Sequence, residues 1–389
     1  MIRATRTQWI KFAVVLALYL IFLVWLRSWL GLVVVPFIFD AYITKKIPWT
    51  WWRESKNRHV VTVMGWVDAI VFALVAVYFV NLYFFQNYVI PSSSLEKSLL
   101  TGDYLFVSKM SYGPRVPQTP LHMPLAQHTL PFFNCKSYLE HPQWDYKRVK
   151  GLGDVQLNDI VVFNFPAGDT VATGVPNDDI YRLSYGAGKE LAKPVDLASM
   201  TPEQQRVVYD YYYQLGREYL KENPQNFGEI ISRPVDRREN YVKRCVGLPG
   251  QTLEIKDRII YLDGKANKEP DNVQYRYLVK TKRPIPDDLA HELGISKEDM
   301  MMYYTDASVY NMPLTEKAKA GLLARKDIVV SIENTPADDA GGLYPLNMYK
   351  NWTTDNYGPV WIPKKGETVK LTIENLPVYE RPIHVYEGN

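Results

Sequence analysis

The stretch Ile90-Pro91-Ser92-Ser93-Ser94-Leu95-Glu96 places three serines directly after a long apolar run. One interpretation is a polar exit from a transmembrane helix, because proline and serine often end such helices. A second stretch, Tyr241-Val242-Lys243-Arg244-Cys245-Val246-Gly247-Leu248-Pro249-Gly250, carries a lysine inside an apolar, strand-like run. A serine and a strand-borne lysine together indicate a hydrolase that uses a Ser-Lys pair.

The composition sets broad limits on the function. The 389 residues can hold a membrane anchor with one large domain or two smaller ones. A formal net charge of +3 gives no reason to expect nucleic acid as a partner. Cys135 and Cys245 are too few for a disulfide framework or a cysteine-rich metal site, although one bridge between them stays open. We expect no cofactor and no metal.

The N-terminal region contains two apolar runs. Residues 10–26 are apolar except for Lys11, which nearly reaches the roughly 20 residues that a bilayer core requires. After Arg27 a second apolar run covers residues 29–39, which is too short to span alone. The region is therefore either one long tilted helix or a spanning helix followed by a re-entrant or interfacial piece. It does not have the pattern of a cleaved signal peptide.

The next part of the chain predicts the membrane topology. Residues 45–59 mix lysines and arginines with tryptophans, which is typical of a short cytoplasmic loop at a membrane surface. Residues 66–85 then form an apolar run of spanning length. We expect a membrane anchor over residues 1–86, with apolar residues 9–39, a cytoplasmic loop at 42–61 and a transmembrane helix at 66–85. Residues 87–389 would form an extracytoplasmic catalytic domain.

Beyond the anchor the pattern predicts a mainly β domain with insertions near 113–155, 166–238 and 266–389. Short strands are expected at residues 104–109, 159–165, 240–247, 252–255 and 258–262. Thr201-Pro202 with Gln204 predicts a capped helix whose apolar face would be Val208, Tyr211, Leu215 and Tyr219. Further helices are expected at 287–293 and 316–325. Residues 113–131 contain five prolines and predict an extended loop.

The residue types favour lysine over histidine as the base. A serine hydroxyl needs a nearby base, but none of the six histidines lies in a nucleophile motif and no Gly-x-Ser-x-Gly elbow occurs. A lysine can serve when burial against apolar side chains favours its neutral form. The apolar neighbours of Lys243 would supply such an environment. The alternative is an edge-strand lysine that faces water and prevents aggregation.

Three motifs together resemble bacterial signal peptidase I: the serine stretch at residues 90–95, Gly102-Asp103-Tyr104-Leu105-Phe106-Val107, and the lysine stretch at residues 241–250. The resemblance covers residues 88–109 and 159–262, directly after a predicted transmembrane helix. The rest is similar only in broad character to the longer enzymes of Bacteroidetes-type bacteria. The resemblance implies a coiled antiparallel sheet, barrel-like, behind N-terminal transmembrane helices.

Carried over by motif, the resemblance assigns roles to individual residues. Ser94 would be the nucleophile and Lys243 the general base, while the Ser92 hydroxyl and the Ser94 backbone N–H would bind the oxyanion. The implied substrate-binding residues are Tyr88 and Ile90, which would line pockets for small side chains, and Leu95 and Tyr241, which would shield the lysine. Arg244 is expected to be structural, because adjacent strand residues face opposite sides.

The implied activity is that of a membrane-bound serine endopeptidase. It would remove N-terminal signal peptides after small residues, of the Ala-x-Ala type, in the cytoplasmic membrane with the catalytic domain on the periplasmic side. Its partners would be preproteins and the lipid bilayer, and the secretion translocon would be compatible with this role; no nucleic acid is expected.

One part of the family pattern is missing. The sequence lacks the Gly-Asp-Asn-Arg motif of the family and ends at Tyr386-Glu387-Gly388-Asn389. A truncated copy or a divergent or inactive member is therefore expected. The alternative function is a degenerate membrane-tethered binding or assembly module that does not cleave. A self-cleaving repressor-type Ser-Lys protease is a third alternative, against which the spanning helices argue.

Overall fold

The computed structural model describes residues 4–130, 133, 135–301, 304–306, 308–336, 343–346 and 352–387. Pro131, at the end of the predicted proline-rich loop, and the terminal Gly388-Asn389 lie outside the described residues. The chain divides into two units. The first comprises residues 1–89, 104–155 and 234–239, and the second comprises residues 90–103, 156–233 and 240–389.

The α-helices, numbered in chain order, are α1 (Arg6–Leu26), α2 (Val35–Phe39), α3 (Arg58–Tyr83), α4 (Ile180–Leu191), α5 (Pro202–Glu222), α6 (Pro224–Phe227), α7 (Asp287–Glu292), α8 (Lys297–Met301), α9 (Glu316–Ala324) and α10 (Leu376–Pro382). The strands are β1 (Phe85–Val89), β2 (Tyr104–Ser108), β3 (Ile160–Asn164), β4 (Thr170–Ala172), β5 (Ile230–Ser232), β6 (Asn240–Arg244), β7 (Thr252–Lys256), β8 (Ile259–Leu262), β9 (Lys265–Ala266), β10 (Gln274–Thr281), β11 (Tyr304–Asp306), β12 (Val309–Thr315), β13 (Val329–Asn334) and β14 (Tyr357–Trp361).

The first unit contains two helices, α1 and α3, that are long and apolar enough to cross a membrane. Helix α1 starts at a capping box in which Thr5 and Gln8 bond each other's backbone N–H groups. It ends at Arg27, which adopts a left-handed conformation with φ of 50°. The chain then continues through a 3-10 turn, Leu30–Val34, into the short α2. The alternative of one long helix across Arg27 is therefore wrong.

In the second unit, the antiparallel pair β3–β6 places Lys243 opposite Val161. The strand expected at residues 240–247 stops at Arg244, and Leu248-Pro249-Gly250 turns the chain toward β7. Among the described strands, β3 is the ladder partner of β6, which leaves the other edge of β6 unpaired.

A helical pair fills much of the insertion at residues 166–238. Helix α5 begins where the sequence predicts, with Thr201 and Gln204 forming the capping box and Pro202 in the first turn. Its buried residues are Tyr212, Gly216 and Leu220, one position beyond the predicted face, and Tyr211 is exposed. The predicted face is confirmed in part, since Val208, Leu215 and Tyr219 are half-buried. The most buried side is turned by one residue because it packs on α4, which the sequence analysis did not identify.

The two helices cross at glycines. A Cβ atom on Gly188 of α4 would lie 1.7 Å from the carbonyl oxygen of Tyr212, and one on Gly216 of α5 would lie 1.7 Å from that of Ser184. The backbones therefore approach more closely than any other residue would allow. This contact accounts for Gly188, one of the two glycines of α4.

Residues 274–334 form their own sheet and core, whereas β14 pairs with β7. Strands run in the order β11-β12-β10-β13, and α7 and α9 supply side chains to the same buried cluster. Val279, Met312, Leu322 and Ile328 are fully buried there. The predicted helices at 287–293 and 316–325 are confirmed as α7 and α9, within one residue at their ends.

The predicted mainly β domain is confirmed as a sheet-rich domain, and all described strand pairs are antiparallel. The described strands form separate sheets of two or four strands. A closed barrel-like sheet and the domain limits at residues 86 and 87 stay predictions. Cys135 and Cys245 are both free thiols, so the structure contains no bridge between them.

Replacing Gly188 with alanine should force α4 and α5 apart. We expect Gly188→Ala to lower the free energy of unfolding by about 1–3 kcal/mol, the usual cost of overpacking. The measurement is thermal unfolding of the detergent-solubilised chain followed by circular dichroism. Gly186→Ala is the matched control, because a Cβ on Gly186 of the same helix meets nothing within 4 Å. Equal melting temperatures for the two variants would contradict the close crossing.

Candidate active site

Ser94 lies on a short loop that closes on itself. The Ile90 N–H donates to the Asp103 carbonyl at 3.0 Å, and the Gly102 N–H donates to the Ile90 carbonyl at 2.9 Å. Inside this neck, the Asp103 carboxylate accepts the Leu100 N–H at 2.7 Å. Gly102 has a φ of 93°, a conformation that favours glycine. The loop is thus held by local bonds, as the Thr-Gly-Asp sequence allows.

The serines occupy the start of a single 3-10 turn, Ser93–Leu95. Ser92 is extended, with φ of −146° and ψ of 158°, and its side chain makes no capping hydrogen bond. The first N–H groups of such a turn have no acceptor within it. Ser92 and Ser94 are both exposed, so the turn presents the Ser94 hydroxyl to solvent.

The structure brings Ser94 and Lys243 together. Lys243 Nζ lies 2.7 Å from Ser94 Oγ, a hydrogen-bond distance between residues 149 positions apart. This is the reach that a base needs in order to take the proton of a nucleophile. The environment differs from the expectation, because the Lys243 side chain is exposed and not enclosed by apolar groups.

Tyr241 shares the face of β6 that carries Lys243. Lys243 Nζ lies 6.0 Å from the centre of the Tyr241 ring, which stacks on Phe165 with centroids 4.4 Å apart. Leu95 is half-buried in the serine turn. Tyr241 therefore lies near the lysine, and its shielding role stays a prediction. Phe165, which stacks on Tyr241, was missed by the sequence analysis.

Arg244 joins the two halves of the site from the opposite face of β6. Its guanidinium donates to the Asn158 carbonyl at 2.7 Å and to Ser98 Oγ at 3.0 Å. Ser98 lies four residues after Ser94 in the same closed loop. The expected structural role of Arg244 is therefore specific: it ties the serine loop to the lysine strand.

The two implied pocket residues differ in exposure. Ile90 is only 3% exposed and presents almost no surface to a ligand in this state. Tyr88, on β1 of the first unit, is half-buried, and this burial raises the pKa of its hydroxyl to about 12. Their roles in binding substrate stay predictions.

The comparisons with known proteins agree with this geometry. The family model described as "Signal peptidase, peptidase S26" matches residues 63–292, more than half of the chain. The chain belongs to this signal peptidase family. It is therefore a peptidase, and so a hydrolase. The match contains both the serine loop and the lysine strand.

Individual members of the signal peptidase family are similar over different lengths. The chain is 20% identical over 279 residues to "Signal peptidase I P" of Bacillus subtilis subsp. natto, which covers 71% of this chain and 90% of that protein. It is 42% identical over 56 residues to "Signal peptidase I" of Helicobacter pylori (strain ATCC 700392 / 26695), covering 14% of this chain and 18% of that protein. Similarity to "Signal peptidase I" of Rickettsia prowazekii (strain Madrid E) is 24% over 165 residues, or 39% of this chain and 56% of that protein. No solved structure matches the chain significantly.

A second lysine, Lys109, is chemically unusual and was missed as a titrating group. Burial, and to a smaller extent the nearby Arg115, Arg148 and Arg237, together lower its pKa to about 8. It lies in the first unit, directly after β2, and its backbone N–H donates to the Phe84 carbonyl at 2.8 Å. No feature of its local sequence indicates the burial, which comes from residues distant along the chain.

Lys109 should make stability rise with pH. The pKa of Lys109 in the folded chain is about 8, compared with 10.5 in its ordinary state, so between these pH values the unfolded chain binds more protons. We expect Lys109→Met to raise the free energy of unfolding by about 1–3 kcal/mol at pH 7. The gain should shrink between pH 8 and 10.5, as measured by thermal unfolding across this range. The control is Lys150→Met at an exposed lysine of the same unit, and a pH-independent gain would contradict the assignment.

Proposed function

We propose that this chain is a membrane-bound signal peptidase that cleaves N-terminal signal peptides with a Ser94-Lys243 dyad. The 2.7 Å distance between Lys243 Nζ and Ser94 Oγ is the observation that carries the proposal. Membership of the signal peptidase family supports the same reaction. The non-cleaving binding module is not favoured, because nucleophile and base lie within hydrogen-bond reach.

The proposed acylation uses groups that are already in place. Neutral Lys243 accepts the proton of the Ser94 hydroxyl as Oγ attacks the scissile carbonyl carbon. The oxygen of the tetrahedral intermediate takes hydrogen bonds from the Ser92 hydroxyl and the Ser94 N–H. The protonated lysine then gives its proton to the leaving amine, the C–N bond breaks, and the signal peptide stays as an ester on Ser94.

Deacylation repeats the sequence with water. Lys243 takes a proton from a water molecule, whose oxygen attacks the ester carbonyl. Collapse of the second intermediate breaks the bond to Ser94 Oγ, which recovers its proton from the lysine. The signal peptide leaves with a free carboxylate, and no metal or cofactor takes part in the proposed steps.

Substrate binding completes the environment of the lysine. A lysine acts as a base only when it is neutral, and water favours its charged form. Lys243 is exposed on the face that carries Tyr241, and the outer edge of β6 has no partner among the described strands. An extended peptide added to this edge would cover the amine and displace water. Desolvation would then accompany substrate binding, so the exposed lysine is compatible with the dyad.

The proposed location follows from the two long apolar helices, α1 and α3. Arg53 and Lys56 precede α3 and Arg58 is its first residue, so the positive-inside rule favours a cytoplasmic start for this helix and an end at the outer surface. Helix α3 ends at Tyr83, and the serine loop begins seven residues later, at Ile90. The substrates would be preproteins that emerge at this surface, with small residues of the Ala-x-Ala type before the cut.

The dyad is tested by purifying the full chain in detergent and incubating it with a preprotein whose signal ends in Ala-x-Ala. We expect Ser94→Ala and Lys243→Met each to lower kcat/KM by about 10³-fold or more, because neither group works without the other. Arg cannot act as a base, so Lys243→Arg should be equally inactive although it keeps the charge. Cleavage that survives Ser94→Ala would reject the mechanism.

The oxyanion role of Ser92 has its own matched control in the neighbouring Ser93. Ser92→Ala should lower kcat by about 10²–10³-fold with little change in KM, since the bond is made only to the developing charge. Ser93→Ala should change kcat little, because Ser93 acts only as a small spacer in the turn. Steady-state kinetics on the same preprotein distinguishes the two variants. An equal loss of kcat in both would assign the effect to a disturbed turn and not to binding of the oxyanion.

A further inference from the structure

Helix α10 packs on the helical pair of the second unit. Arg206 of α5 donates two bonds to the Glu380 carboxylate, from Nη1 at 2.9 Å and from Nη2 at 2.6 Å. Tyr379 is buried, and its hydroxyl donates to the carbonyl of Trp361, the last residue of β14, at 2.8 Å. Two parallel bonds from an arginine to a carboxylate form a strong and directional contact. Helix α10 is therefore fixed to both α5 and β14.

The next residue of α10, Arg381, makes a separate contact with Asp169. Arg381 Nη2 donates to Asp169 Oδ1 at 2.9 Å, and its Cζ atom lies 3.6 Å from the centre of the Tyr181 ring. The Tyr181 hydroxyl donates to the other carboxylate oxygen, Oδ2, at 2.6 Å. The arginine is thus held between a negative charge and an aromatic face. We call Arg381, Asp169 and Tyr181 the arginine clamp.

The arginine clamp is more protected from solvent than a surface ion pair. The side chains of Arg381 and Asp169 are 21% and 17% exposed, whereas those of the surface pair Lys297 and Asp287 are 74% and 69% exposed. Water and salt screen exposed pairs strongly and partly buried pairs less. We therefore expect the clamp to keep its geometry in solution.

The arginine clamp holds the 3-10 turn Pro166–Asp169 at both ends. Besides the bond to the carboxylate at the last position, Arg381 Nη2 lies 3.5 Å from the carbonyl oxygen of Pro166 at the first. Between these ends, the Gly168 N–H donates to the Phe165 carbonyl at 3.1 Å. The turn is therefore closed on itself, and it fixes the residue that it follows, Phe165.

Phe165 depends on this turn because the strand ladder does not include it. The last pair of the β3–β6 ladder is Asn164 with Asn240. Phe165 lies one residue beyond, and its ring stacks on that of Tyr241 with 16° between the ring planes. Stacking energy depends on the offset and angle of the two rings. The turn that follows Phe165 therefore sets how the two rings meet.

Tyr241 connects this stack to the base of the proposed dyad. Lys243 follows two residues later on β6, so both side chains extend from the same face of the strand. Lys243 Nζ lies 6.0 Å from the centre of the Tyr241 ring and 2.7 Å from Ser94 Oγ. The exposed lysine side chain is long and flexible, and many of its conformations would place Nζ out of reach of Ser94. A ring held beside the lysine removes part of this freedom.

We propose that Arg381 is a positioning residue for the catalytic dyad. It acts through the turn and through the stacked rings of Phe165 and Tyr241, which limit Lys243 to conformations within reach of the serine. Arg381 lies beyond residue 292, where the family match ends, so family membership alone gives it no role. The inference rests on the proposed function, because it requires Lys243 to act as the base.

The first test is steady-state cleavage, by the full chain in detergent, of a preprotein whose signal ends in Ala-x-Ala. Arg381→Met should lower kcat about 3- to 10-fold with little change in KM, because the loss concerns the base and not the binding of peptide. Arg206→Met is the matched control, because it breaks the contact of α10 with α5 at Glu380, outside the clamp. Its kcat should change less than twofold, although it also loosens α10.

A double variant tests whether Arg381 acts through the aromatic stack. Phe165→Leu removes the stacking ring and should lower kcat about 3- to 10-fold, whereas Phe165→Tyr keeps a ring and should retain the kcat of the wild type. If Arg381 acts through Phe165, the variant that carries both Arg381→Met and Phe165→Leu should lose no more than Phe165→Leu alone. Losses that multiply would show that Arg381 acts independently of the stack and would overturn the inference.

Hydrogen exchange separates failure of this inference from failure of the proposed function. Peptides covering residues 165–170 and 240–244 should exchange about threefold faster or more in Arg381→Met than in Arg206→Met, with or without cleavage. Equal exchange would overturn the link between the clamp and β6. A wild-type chain that does not cleave the preprotein rejects the proposed function and with it the role of Arg381. An active wild type with an unchanged kcat in Arg381→Met, or with an equal loss in Arg206→Met, rejects the positioning role alone.

Discussion

The hydrogen bond between Lys243 and Ser94 is the constraint on which the arrangement of the second unit depends. Its partners are 149 residues apart, and three α-helices (α4 to α6) and four strands (β2 to β5) separate them along the chain. The serine side is built locally, by the neck between Ile90 and Gly102-Asp103. The lysine side depends on the β3–β6 ladder. Arg244 then joins them, because its guanidinium reaches Ser98 in the loop and Asn158 before β3.

The exposure of Lys243 changes how the site should be regarded. A buried lysine would be ready to act in the free protein, whereas an exposed one needs a covering group before its neutral form is favoured. The outer edge of β6 has no ladder partner among the described strands, and on the proposed mechanism an extended peptide bound there would supply that cover. Substrate binding would then also activate the base. Without a bound substrate the base would stay inactive, and Ser94 would not attack other peptides.

The sequence predicted the parts of the structure that local rules decide. Thr201, Pro202 and Gln204 identified the start of α5, and the apolar runs identified α1 and α3, because caps and composition act over a few residues. Helix α4 was missed because Gly186 and Gly188 weaken helix propensity, and only the crossing with α5 explains Gly188. The same crossing moved the buried face of α5 by one residue.

Prediction of the site followed the same division. Motif order pointed to Ser94 and Lys243, which the fold brings within hydrogen-bond distance, and to Ser92, whose oxyanion role stays a prediction. The partners of Arg244, the stacking of Phe165 on Tyr241 and the burial of Lys109 depend on residues distant in sequence. Local sequence also could not predict the exposure of Lys243, because apolar neighbours in sequence do not determine what covers a side chain in the fold.

The closed loop that carries Ser94 also has a consequence for biosynthesis. Its neck bonds join residues only 12 or 13 positions apart, so the loop can form as soon as Asp103 has been made. Lys243 is made 140 residues after Asp103, which at ordinary rates of translation of about 5–20 residues per second is about 7–28 s. During that interval the nascent chain would carry a folded nucleophile without its base. On the proposed mechanism, the new chain would therefore be unable to cleave peptides until Lys243 has been made and β6 has formed.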